Sequence, residues 1–312
     1  MKVGLYSISC SGVWFKDRPA LTMEEFVDTA KKYGYEGVEI DLKRPHGSPL
    51  DLNAERCKKI KGYIEDKGLE LFAVAANNSF ATIIPEHLEN EILMVREQIK
   101  VAKMLGAPYV RVFPAWRGIT MRDGIASYEP TRFPVYYGAL KYQLVQNIVA
   151  GLKEVCKYAE DEGIILALQN HDPVIIDYRD ILNYVKWVGS PNLKVSFDCP
   201  CEGWGKSRQT DEYQRNAVLA VGDLQVLTHA NGEFREHKDG SIENYNYTTD
   251  HETVPNYPAF VKALKEINYK GYISFEFCHM PFVDGKVMGY NDYIEDQIRL
   301  AKLYFDNLIK NA

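Results

Sequence analysis

Apolar residues fall into two alternating patterns along the chain. Short, continuously apolar runs occupy residues 3–8, 37–41, 69–75, 109–113, 164–169, 193–198, 224–229 and 272–277. They lack the apolar–polar alternation of a half-exposed strand, so they read as parallel strands covered on both faces. Between them lie longer stretches with amphipathic, helical spacing, at 23–33, 53–67, 86–105, 138–162, 178–188, 211–221, 257–267 and 293–309. Eight strand–helix units in 312 residues predict a closed (β/α)8 TIM barrel, as one domain over 1–312.

Local signals support these boundaries. Thr22-Met23-Glu24-Glu25 is a capping box, in which the Thr hydroxyl and the Glu carboxylate satisfy each other's backbone N–H groups. Gly34, Gly68, Gly106 and Gly163 stand where helices should stop, because glycine accepts the left-handed conformation that ends them. Connections after strands are long (9–21, 42–52, 114–137, 199–210, 230–256 and 278–292), whereas connections after helices are short. In a barrel of this type the loops after the strands build the active face. An open, doubly wound sheet is the rival, but no Gly-rich phosphate loop follows Ile8 or Asp41.

Charge then narrows the partners. The formal net charge is −6 and no basic block occurs, so a nucleic-acid backbone is disfavoured as a ligand. No apolar run approaches the ~18 residues of a membrane span, and residues 1–8 read as a strand rather than a signal peptide. The six cysteines form no metal-type CxxC pair, and a reduced, cytoplasmic setting is expected.

The chemistry lies where the later strands stop. One ends in Gln169-Asn170-His171-Asp172, the next in Asp198, the next in His229, and the last in Glu276 followed by Phe277-Cys278-His279. Parallel neighbours lie ~4.8 Å apart, so the ends of four consecutive strands converge on one rim as sequence-adjacent residues cannot. A polar residue at one strand end is commonplace. Four of ligand type in consecutive units point to one divalent cation, Mn²⁺, Mg²⁺, Co²⁺ or Zn²⁺.

With its strand order, its loop lengths and the segment Gly-Tyr-Glu-Gly-Val-Glu-Ile at 34–40, the chain resembles the xylose isomerase-like superfamily of sugar isomerases and epimerases, including the tagatose- and psicose-type epimerases. That resemblance covers essentially the whole chain. It implies metal ligands Glu, Asp, His and Glu on strands five to eight, which here fall on Gln169, Asp198, His229 and Glu276. It also implies a substrate arginine at Arg235. Two positions depart from the pattern. Gln169 replaces a glutamate, and an amide oxygen binds a hard cation but is no general base. The family's Asp-x-x-His reads Asp198-Cys199-Pro200-Cys201, leaving Cys201 as a substrate-side candidate or a filler.

The implied reaction is proton abstraction beside a carbonyl, with the metal stabilising an enediolate. Glu276 is then the leading base and His171 the second acid–base candidate. Arg44 and His46 either bind substrate hydroxyls or a carboxylate, or belong to a turn shaped by Pro45 and Gly47. Trp14 and Trp116 either stack on a sugar ring or glue loops together. Asn77, Asn78 and Arg111 end strands three and four as candidate hydroxyl binders, and His279 is a further substrate-side candidate. The segment from Ile40 to Gly47, with Gly12-Val13-Trp14, is also similar to the large subunit of C-glycoside deglycosidases, which eliminate from 3-keto-glycosides with a metal. A non-catalytic sugar-binding barrel is the alternative that Gln169 keeps open. In each reading the partner is a small sugar or glycoside, with a homo-oligomer or a second subunit as an added expectation. An apurinic-type nuclease of the same barrel class conflicts with the acidic charge and the seven histidines, too few for a three-metal cluster.

Overall fold

A computed structural model describes residues 1–128, 141–199, 206–245 and 254–312. Eight parallel strands close a barrel: β1 (Lys2–Tyr6), β2 (Gly37–Asp41), β3 (Glu70–Ala75), β4 (Tyr109–Val112), β5 (Ile165–Gln169), β6 (Leu193–Ser196), β7 (Gln225–Asn231) and β8 (Tyr272–Glu276). Each strand pairs with its sequence neighbours, and β1 closes on β8 through Lys2–Tyr272 to Leu5–Phe275. The outer layer is α1 (Met23–Lys32), α2 (Ala54–Asp66), α3 (Pro85–Leu105), α4 (Lys141–Glu162), α5 (Tyr178–Val188), α6 (Asp211–Val221), α7 (Tyr257–Glu266) and α8 (Glu295–Asn311). The expected (β/α)8 barrel is therefore the fold. The predicted start of α4, residues 138–140, lies outside the described residues.

The caps explain why the helices begin and end where they do. The Thr22–Glu25 capping box is formed in both directions, and Asp177 with Asp180 makes a second at α5. Asn53, Thr210 and Asn256 cap α2, α6 and α7 with their side chains. Gly106 and Gly189 close α3 and α5 in the left-handed region, at φ 80° and 71°.

The floor of the barrel is plugged. Phe72 and Tyr272 stack with centroids 4.0 Å apart, in a cluster with Ala73, Ala167 and Leu227. Gly4 makes room for this pair, since a Cβ there would lie 2.2 Å from Phe72 Cε1. Polar side chains therefore gather above the plug, toward the carboxyl ends of the strands. Three short hairpins were not anticipated: Thr120–Arg122 with Ile125–Ser127, Glu233–Glu236 with Ile242–Tyr245, and Phe282–Val283 with Lys286–Val287. All three follow barrel strands and rise from the mouth. Among the described residues no helix is long and apolar enough to cross a membrane.

Candidate active site

His229 is the centre of the constellation. β7 buries it beside Ser274 of β8, its register partner. Its Nε2 lies 2.9 and 3.1 Å from the two oxygens of Glu39, and Ser274 donates to Glu39 Oε2 at 2.6 Å. Tyr6 stacks on the imidazole, with centroids 5.4 Å apart and planes 14° from parallel. The other ring nitrogen, Nδ1, is buried without a hydrogen-bond partner and lies 3.8 Å from Asp198 Oδ2.

Asp198 is fixed from both sides. Its backbone N–H donates to Asn170 Oδ1 at 2.7 Å and its carbonyl accepts from Asn170 Nδ2 at 3.1 Å, which extends the β5–β6 pairing past Ser196. Its Oδ1 accepts the His229 backbone N–H at 2.6 Å, and its Oδ2 accepts from Gln169 Nε2. The amide thereby leaves Gln169 Oε1 buried and unpartnered. Glu276, at the end of β8, acts on the same centre, because its charge raises the pKa values of His229 and Tyr6.

Electrostatics follow from burial against pairing. Burial pushes the His229 imidazole down, but Glu39, Asp198 and Glu276 outweigh it and carry its pKa up to about 9. Glu39 is fully buried, which pushes its carboxyl up; the charge and hydrogen bond of His229 reverse this and leave it below its usual range. Burial wins at Asp198, whose pKa is raised despite His229 and Gln169.

A second polar wall comes from the early strands. Arg111 is buried, donates to Tyr6 Oη at 3.0 Å and to the Ala76 carbonyl at 2.5 Å, and leaves its Nε without a partner. Tyr6 donates in turn to Asp41 Oδ1 at 3.2 Å, which also accepts from Asn77 Nδ2 at 2.5 Å. Lys43 lies 3.6 Å from Asp41 Oδ2 and 5.5 Å above the Trp116 ring. Trp116 stacks on Phe113, and Phe113 meets His171 edge-on at 4.8 Å. His171 Nδ1 is 3.1 Å from the Asp172 carboxylate, which pairs with Arg117 at 3.1 Å.

The remaining candidates are scattered around this centre. Trp14 is buried against Tyr128 at 5.3 Å. His46 is buried on Phe26, with Nε2 3.0 Å from the Leu21 carbonyl. Arg44 is exposed and holds Asp51 with two bonds of 2.7 and 2.8 Å. Arg235 lies on the hairpin after β7, 3.9 Å above the Tyr245 ring. His279 stacks on Phe277, with Nδ1 3.2 Å from Asn231 Oδ1. Cys201 lies outside the described residues. Glu39, Tyr6 and Ser274 were missed as site residues. Glu39 did carry a signal: a charged residue between Val38 and Ile40 in an apolar strand needs a partner.

Among the described residues no three His, Cys, Asp or Glu side chains are grouped closely enough to hold an ion by themselves. The Gln169 amide oxygen adds a donor of another type beside Asp198 and His229. Two orphaned buried atoms suit a cation: Gln169 Oε1 and, once it gives up its proton, His229 Nδ1 would be neutral donors flanking the Asp198 carboxylate, and all three residue types ligate hard or borderline cations.

A closed parallel barrel with its ionisable centre at the carboxyl ends of the strands has the architecture of the TIM-barrel enzymes. Within that class the chain belongs to the xylose isomerase-like TIM barrel family, whose family model matches residues 27–303. A fructoselysine 3-epimerase of Shigella flexneri is 28% identical over 192 residues, 59% of this chain and 63% of that protein. The match thus spans a little under two thirds of the length of this curated relative. D-psicose 3-epimerase from Clostridium cellulolyticum H10, solved with D-tagatose, superposes with a TM-score of 0.69 at 18% identity over 100% of both chains. The 3-keto-D-glucoside 4-epimerase of E. coli superposes with a TM-score of 0.64 at 16% identity, again over 100% of both.

Proposed function

We propose that this chain is a sugar isomerase or epimerase, a single barrel domain that moves a proton next to a carbonyl with the help of one divalent cation. One observation carries the reading: Gln169, Asp198 and His229 meet at consecutive strand ends, with Gln169 Oε1 and His229 Nδ1 buried and unpartnered beside Asp198. The family membership and the 3-epimerase relatives support it. The expected substrate is a small keto sugar or sugar derivative, with fructoselysine and D-psicose as first probes.

In this reading Gln169, Asp198 and His229 would hold the cation, Mn²⁺ by preference, with Glu276 as fourth ligand only by closing on the ion, since the three ionisable groups are not grouped in the metal-free chain. When bound, it would polarise the carbonyl and hydroxyl oxygens and stabilise the negative charge of the enediolate. The chain's own residues do the rest. Glu276 removes the carbon-bound proton from the β8 side. His171, beyond β5 and oriented by Asp172, returns a proton from across the mouth. Arg235 binds a substrate hydroxyl, while Trp116 and Phe113 form an apolar wall that excludes water. Asn77, Arg44, His46, His279, Cys201 and Trp14 remain outer candidates for substrate contact.

A second reading rests on Gln169. With an amide where the family has a glutamate, Glu276 is the one glutamate left in the ligand set to act as base, which suits elimination from a 3-keto-glycoside better than two-sided epimerisation. Solvent exchange separates the two readings. In D2O with Mn²⁺, an epimerase incorporates deuterium into a recovered ketose and its epimer. An eliminating enzyme instead releases the aglycone of a 3-keto-glucoside. Glu276→Gln abolishes either. Failure of the wild type to exchange or eliminate with any of these probes, under Mn²⁺, Co²⁺, Mg²⁺ and Zn²⁺ in turn, refutes the enzymatic reading and leaves the sugar-binding barrel.

A further inference from the structure

We propose that Glu39 is the positioning residue of this centre: it holds His229 by Nε2, so that Nδ1 alone faces Asp198 and Gln169. The inference rests on the metal-site reading and deepens it, since nothing else assigns Glu39 a role.

The geometry leaves Glu39 little other use. Its side chain is fully buried at 0% exposure, behind the imidazole, with both oxygens within 3.1 Å of His229 Nε2. Ser274 Oγ takes a further position on Oε2 at 2.6 Å. Three strands meet here: Glu39 comes from β2, His229 from β7 and Ser274 from β8. The face of the ring is held separately by Tyr6, whose hydroxyl is pinned by Asp41 and Arg111. The imidazole is thus fixed along one edge and one face. Its remaining nitrogen is the orphan that points at the ligand set.

Packing does not call for a charge at this position. An apolar residue at 39 would avoid the desolvation penalty of a buried carboxylate, which here is offset by His229, Ser274 and the charge of Arg111. A carboxylate on the far nitrogen of a metal-binding histidine does two things an apolar residue cannot. It selects the tautomer with the proton on Nε2, and it makes Nδ1 the stronger donor. Ser274 holds the carboxylate in the orientation that this requires.

Co²⁺ provides the test, because its visible ligand-field band reports coordination directly. The metal-stripped wild type, Glu39→Gln, Ser274→Ala and His229→Ala would be titrated with Co²⁺, with thermal melting of each metal-free protein as the fold control. The inference expects Glu39→Gln to bind Co²⁺ roughly 10- to 100-fold more weakly, with a shifted band, at a metal-free melting temperature near that of wild type. Ser274→Ala should show a smaller loss in the same direction, and His229→Ala no site. Wild-type affinity and an unshifted band in Glu39→Gln overturn the inference and leave the metal reading standing. No Co²⁺ binding by wild type overturns both. If Glu39→Gln fails to fold, Ser274→Ala decides: unchanged affinity there overturns the inference.

Discussion

Gln169→Glu is the most informative single change, because it restores a carboxylate where the chain has an amide. In the metal-free protein Gln169 Nε2 donates to Asp198 Oδ2. The substitution removes that donor and sets two carboxylates against each other in a site where burial already raises the Asp198 pKa. Loss of a hydrogen bond to a charged group costs about 1.5–3 kcal/mol. Repulsion of two unit charges at ~4 Å adds up to ~4 kcal/mol at an effective dielectric of 20. Uptake of one shared proton caps this second cost, so the penalty grows as pH rises. A metal-free loss of about 2–5 kcal/mol is therefore expected at neutral pH. With a divalent cation between them the same two carboxylates attract it, and the sign reverses. The assay is thermal melting of wild type and variant in chelator and in millimolar Mn²⁺, at pH 6 and 8. The variant should melt lower than wild type in chelator, more so at pH 8, and gain more from Mn²⁺. Equal melting in chelator together with equal stabilisation by Mn²⁺ would refute the assignment of residue 169 to the cation site.

Three further outcomes follow from the same geometry. The metal-free His229 pKa is raised from 6.5 to about 9, so its contribution to stability is complete below pH 6.5 and is lost as pH rises through 9. That amounts to roughly 3 kcal/mol at most, and denaturant melts from pH 6 to 10 should show it in wild type but not in His229→Asn; a flat wild-type profile contradicts it. Tyr6→Phe removes the hydroxyl shared by Arg111 and Asp41, and should cost about 1–3 kcal/mol in urea unfolding by leaving buried polar groups short of a partner. Gly4→Ala drives a Cβ to within 2.2 Å of Phe72 and should cost about 1–3 kcal/mol, partly recovered by adding Phe72→Leu; an unchanged melting temperature would show that the floor yields.

The barrel was legible because its signals are local and repeated. The run at 37–41 is β2 to the residue, and the spacings at 178–188 and 211–221 are α5 and α6, each opened by a side-chain cap from Asp177 or Thr210. The mouth hairpins were not legible. Glu233-Phe234-Arg235-Glu236 has too few apolar positions to announce a strand, and only pairing with Ile242–Tyr245 makes it one. At the site, strand-end position pointed to Asp198, His229 and Gln169, which do lie together. It could not show which way each side chain turns. Arg44 spends both its bonds on Asp51, and His46 is buried on Phe26. Tyr6 and Ser274 sit inside strands and read as ordinary interior residues, since a hydroxyl among apolar neighbours has no pattern of its own.

The charge around the centre bears on the proposed cation. Glu39, Asp41, Asp198 and Glu276 bring four carboxylates to the carboxyl ends of the strands. The fixed cations beside them are Arg111, which is buried, and Lys43, which is 3.6 Å from Asp41. Beside Asp198 and Glu39, His229 is the titratable group that answers this negative charge. In the metal-free protein Glu39, Asp198 and Glu276 favour a proton on His229, which is why its pKa climbs against the effect of burial. In the proposed reading a divalent cation at Nδ1 would displace that proton. Proton and metal thus compete for one nitrogen, and the affinity of the site for a divalent ion should rise with pH up to about 9. Isothermal titration with Mn²⁺ in buffers of different ionisation enthalpy tests this directly. Release of close to one proton per ion at pH 7 is the expected result, and binding without proton release would show that the cation, if held, does not use His229.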